Sequence, residues 1–63
     1  MAGPNTGGQL VRIAEAVRLL SISRSKLYKL MSTGELAYVK LGRSRRLAVD
    51  DLRRLIARNR VTG

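Results

Sequence analysis

Ser23–Gly34, SRSKLYKLMSTG, is the stretch on which the rest of the chain turns. Ser23 suits a helix N-cap, because its hydroxyl can accept a hydrogen bond from a free backbone N–H of the first turn. Gly34 suits a helix stop, because the left-handed conformation that ends helices carries no Cβ penalty in glycine. Between them Leu27, Leu30 and Met31 stand at i, i+3 and i+4, one apolar stripe at about 100° per residue. Ser25, Lys29 and Ser32 fall on the opposite side, with Lys26 and Tyr28 on the two shoulders. The spacing predicts a short helix that buries one face and offers ammonium groups, hydroxyls and a phenol on the other. No carboxylate interrupts that face. It suits nucleic acid, although a merely solvated basic face over a packing stripe has the same local pattern. The flanking sequence decides between the two.

Upstream, Leu10–Leu20, LVRIAEAVRLL, predicts a first helix in which Ile13, Ala16, Val17 and Leu20 recur at helical spacing and Leu10 fits the same face. Arg12 occupies the place of a capping Ser or Thr, so the start of this helix is poorly capped. Only Ser21 and Ile22 separate the two helical patterns. Helices joined so tightly must cross at a large angle, as in a helix-turn-helix, with Ile22 plugging the corner. An ordinary αα-hairpin is the alternative at this point. Residues 1–9, with three glycines and a proline, cannot bury apolar surface and are expected to form a disordered tail.

Downstream the period changes. In Glu35–Leu41, ELAYVKL, residues Ala37, Val39 and Leu41 fall on one side and Tyr38 and Lys40 on the other, which predicts a half-buried strand. Gly42-Arg43-Ser44-Arg45 supplies a turn and Arg46-Leu47-Ala48 a short return strand. Arg43, Arg45 and Arg46 carry no nearby counter-charge and repel one another unless an anion binds. Asp50–Asn59, DDLRRLIARN, predicts a last helix. Its acids sit in the first turn, where the helix dipole favours them. Leu52, Leu55 and Ile56 form its packing stripe, and Arg53, Arg54 and Arg58 point outward. The expected fold is mostly α with a small β-hairpin: a winged helix-turn-helix over residues 10–60 with a two-stranded wing, and a frayed C-terminus over 61–63.

Composition narrows the function. The 63 residues carry 13 Lys and Arg against 4 acids, a net charge of +9, with no cysteine and no histidine. A zinc site, a Ser/His triad and a histidine base are excluded, and the scattered acids make a carboxylate dyad a poor reading. No catalytic residue, metal or cofactor is therefore expected. A domain this basic binds polyanions, whether DNA, RNA or an anionic membrane. Tyr28 and Tyr38 are the only aromatic residues, few for the stacking platforms of RNA-binding modules. Short separate helices with a glycine stop argue against a membrane-lying amphipathic helix. No apolar run approaches a membrane span, and no signal peptide opens the chain, so a cytoplasmic, nucleoid-associated protein is expected.

Leu10–Ile56 as a whole resembles the excisionase-type, MerR-like DNA-binding domains of phages, integrative elements and actinobacteria. Three segments carry the resemblance: Glu15-Ala16 followed by Leu19-Leu20 and the SISRSKLY of the turn and second helix; Gly34-Glu35-Leu36; and the LGRSRR of Leu41–Arg46 followed by Asp51-Leu52. Ser21 stands where the family usually has glycine, and Ala37 where it often has proline. The resemblance implies that Ser25, Lys26, Tyr28 and Lys29 face the major groove, with Arg24 near the backbone at the helix start. It implies that the wing, with Lys40, Arg43, Ser44, Arg45 and Arg46, meets phosphates or the minor groove. It further implies an excisionase, or recombination directionality factor. Such a protein binds and bends double-stranded DNA at an attachment site, works with a cognate integrase, and associates head to tail on DNA. The same domain also serves small transcriptional regulators.

Overall fold

The computed structural model describes residues 9–62, so all of the expected tail over residues 1–9 except Gln9 lies outside the described residues, as does Gly63. The elements run β1 (Leu10–Arg12), α1 (Ile13–Leu20), α2 (Arg24–Ser32), β2 (Val39–Leu41), β3 (Ser44–Ala48) and α3 (Val49–Arg58). The strands form one antiparallel sheet in the order β1-β3-β2. The winged helix-turn-helix architecture is as expected, with one strand more than the two-stranded wing.

That strand is where the first helix was expected to begin. Leu10–Arg12 pairs with β3, Val11 opposite Leu47 and Arg12 opposite Arg46. The physical reason lies in burial: Leu10 and Arg12 are exposed while Val11 is buried, a period of two that a helical turn would break. Gln9 contributes as well, since its carbonyl accepts a hydrogen bond from Val49 N–H at 2.9 Å, the first residue of α3. This backbone contact serves a helix start that has no side-chain cap.

The turn between α1 and α2 is a Schellman motif built on a serine. Ser21 has φ 54° and ψ 45°; its N–H donates to Arg18 O, and Ile22 N–H to Val17 O, both at 3.2 Å. Val17 and Ile22 both pack against the core, which closes the motif. Ser21 thus holds the left-handed conformation that the glycine usual in the domains it resembles would take freely. Ser23 then caps α2, accepting from Lys26 N–H at 3.1 Å.

The core is a single cluster drawn from every element but β2: Val11, Ala16, Leu27, Met31, Leu36, Leu47, Leu52 and Leu55. Three expectations shift here. Leu36 is not in a strand; its N–H closes the end of α2 on Leu30 O and its side chain is buried, after Gly34 turns the chain at φ 82°. Ile56 is more than half exposed, because α3 turns Leu52 and Leu55 into the core, with Val49 packed against it. Leu41 is also more than half exposed. The register pairs Lys40 with Arg45 and Val39 with Arg46. By strand alternation Tyr38 and Lys40, not Val39 and Leu41, share the face of Arg45 and buried Leu47.

Candidate nucleic-acid interface

The hairpin loop between Leu41 and Ser44 is only two residues, with Gly42 at φ 63° in its first position. Glycine is the residue such a tight turn favours there. Short closure fixes the wing close to α2 and brings its arginines back toward the helix. Arg24 from the first turn of α2, Arg43, Arg45 and Arg46 from the wing, and Arg12 from β1 line one cleft of about 530 Å³ with Tyr28. No carboxylate lines it.

Next to it a second cleft, about 450 Å³, runs between the outer face of α2 and the wing, lined by Ser25, Tyr28, Lys29, Ser32, Tyr38 and Arg45 with Met31 at its base. Tyr28 and Arg45 belong to both clefts and join them into one surface. The Arg45 guanidinium lies 5.6 Å from the centroid of the Tyr28 ring and 5.1 Å from that of Tyr38, within the range of cation–π attraction. Arg45 is half-buried. Ser25, Tyr28 and Lys29 are exposed on the face that the helical spacing predicted.

The acids stand elsewhere. Asp50 and Asp51 pair with Arg54 on α3 at 2.9 and 3.6 Å. Glu35 lines a rear groove between α2 and α3 with Leu30, Leu55, Ile56 and Lys26. Lys26 is therefore separated from the other candidate residues: it looks toward the rear groove, while Tyr28 on the opposite shoulder of α2 looks into the arginine cleft. Arg58 is also occupied, its guanidinium donating to the Glu35 carbonyl. Lys40 and Ser44 are exposed on the hairpin beside the clefts rather than lining them.

The sequence reasoning missed Arg12 and Tyr38. Arg12 was legible only as a poor cap; its position opposite Arg46 depends on a strand whose three residues are too few to show a period. Tyr38 stood out as one of two aromatic residues, but its contact with Arg45 depends on which face of the hairpin turns inward.

Residues 10–60 match the model of the family described as "Helix-turn-helix domain". The chain belongs to that family. DNA-binding helix-turn-helix motifs place their second helix in the major groove, and the second helix of this domain is α2. A curated protein of Saccharopolyspora erythraea, described as "Probable excisionase", is 42% identical over 52 residues, covering 76% of this chain and 53% of the relative. The chain thus spans about half the length of that relative. No solved structure matches the chain. Among the described residues no helix is long and apolar enough to cross a membrane, and no group of acids could hold a metal ion.

Proposed function

We propose that this domain binds double-stranded DNA sequence-specifically and acts as an excisionase. α2 enters the major groove, where Ser25, Tyr28 and Lys29 meet base edges, because that groove is wide enough for a helix and displays a distinct pattern for each base pair. Arg12, Arg24, Arg43 and Arg46 meet backbone phosphates on the flank, and Lys40 and Ser44 follow along the wing. The observation that carries this reading is the arginine cleft at the start of α2: five guanidinium groups around one hollow with no acid, continuous with the exposed face of the helix. Arg12 and Arg46 stand directly opposite each other on neighbouring strands. Like charges so placed repel, and a phosphate between them reverses the sign of that interaction.

The step from DNA binding to excision rests on the name carried by the Saccharopolyspora relative. In this role the domain has no chemistry of its own. It occupies sites beside an attachment site and bends the DNA there so that a cognate integrase assembles in the excisive arrangement. Copies bound in tandem contact one another head to tail. Selection of bound duplexes from a random pool, followed by footprinting on the DNA that flanks the element encoding the protein, tests this. Protection of direct repeats beside an attachment site is expected. Protection confined to a promoter refutes the excisive role, and no enrichment of any duplex refutes sequence-specific binding.

A further inference from the structure

β2 contributes nothing to the core. It is three residues long, lies at the sheet edge and pairs only with β3. A tie to the helical layer is made at its margin, where Arg45 of β3 reaches both the ring of Tyr38, just before β2, and the ring of Tyr28 on α2. Arg45 is half-buried there, and no carboxylate among the described residues pairs with it. A guanidinium this close to two aromatic rings is held by cation–π attraction, and its delocalised, weakly hydrated charge suits such a site better than the compact, strongly hydrated ammonium of lysine.

We propose that the Tyr28–Arg45–Tyr38 cluster is a clip that fixes the wing against the reading helix. Tyr38 and Arg45 then act as positioning residues for base recognition, and Arg45 is not chiefly a phosphate contact. This rests on the DNA-binding reading above and deepens it. The clip joins three elements at one point: α2, which carries Tyr28 beside Ser25 and Lys29; the approach to β2; and β3. With the clip closed, the wing sets the angle at which α2 lies in the groove, and a small misplacement of a bidentate contact forfeits much of its discrimination. With it open, the basic groups remain, so attraction to any duplex persists while the register is loose. Discrimination and general affinity are therefore expected to separate.

The test has two arms. In the free protein, proton NMR should show the Arg45 side-chain resonances shifted upfield by the two rings, and Tyr38→Leu should return them to ordinary values. On DNA, affinities are compared for a duplex enriched from a random pool and for the pool itself. Arg45→Lys and Tyr38→Leu should lower the preference for the enriched duplex about tenfold, whereas Tyr38→Phe, which keeps the ring, should restore it. Circular dichroism checks the fold, and Arg45→Lys decides the matter if Tyr38→Leu does not fold. Ordinary Arg45 shifts in the wild type, or an Arg45→Lys protein that weakens on both duplexes equally, overturn the clip. A wild-type protein that prefers no duplex, with the upfield shifts present, overturns the DNA reading instead.

Discussion

Replacing Arg12 by alanine separates what the cleft does for binding from what it does for folding. Arg12 faces Arg46 across two antiparallel strands and lines the same hollow as Arg24 and Arg43. If those four arginines each neutralise one phosphate, the cleft contributes a slope of about −3.6 to a plot of log K against log salt. Raising salt from about 50 to 200 mM then weakens binding by roughly 150-fold through the cleft alone. Arg12→Ala should bring the slope to about −2.7 and the loss to roughly 40-fold. Phosphate contacts from Lys29 or Lys40 add equally to both proteins and leave the difference intact. Stability should move the other way. Removing one of two directly opposed like charges relieves repulsion of a few tenths of a kcal/mol, about 1–2 °C in the melting temperature of a domain this small. Fluorescence anisotropy with one duplex across a salt series gives the slopes, and melting by circular dichroism at low salt gives the stability. An unchanged slope refutes the phosphate role. A lower slope accompanied by a lower melting temperature refutes the claim that the pair is strained without DNA.

Three further outcomes follow from the packing and the turns. Leu47→Ala, at a fully buried position on the central strand, should cost about 2–5 kcal/mol in urea unfolding, enough to leave a domain of this size largely unfolded. Ser21→Gly should raise stability by about 0.5–1 kcal/mol, since φ 54° is strained for serine and free for glycine; an unchanged or lower midpoint would mean that the turn is not where the strain lies. Lys29→Ala should reduce discrimination between an enriched and a random duplex by about 1–3 kcal/mol if one base contact is lost, whereas Lys26→Ala, at the rear groove, should leave discrimination as it is.

What the sequence disclosed depended on how many residues carried each signal. α2 was legible from end to end, because Ser23, the Leu27–Leu30–Met31 stripe and Gly34 give three independent cues within twelve residues. The abrupt turn was legible because two residues leave no room for anything else. β1 was not, because Val11 is a single buried residue between two exposed ones and its partner Leu47 lies 36 positions away. The same holds for the hairpin. ELAYVKL alternates as a strand should, yet alternation fixes only that the two faces differ, not which one turns inward. Leu36 decided that, by occupying the core before the strand began. Candidate residues chosen from the helix face were therefore brought together, Lys26 excepted, while Arg12 and Tyr38, whose positions depend on strand register, were not foreseen.

Two departures from good local design meet at the arginine cleft. At the rear, Arg54 has two acids within reach, Arg58 has a carbonyl and the end of α3 is closed by Asn59 on Leu55 O at 2.8 Å. At the front, Arg12 faces Arg46 and Arg45 is half-buried with no carboxylate. A threonine or glutamate in place of Arg12 would pair better with Arg46. A small domain with little stability to spare gains nothing in folding from such choices. Each becomes favourable once a polyanion lies along that face: the opposed arginines gain a shared counter-charge and the half-buried guanidinium keeps its aromatic faces while its edge meets solvent or phosphate. Conflict between local preference and fold, gathered around one cleft and of one charge, is what a binding surface looks like before its partner arrives.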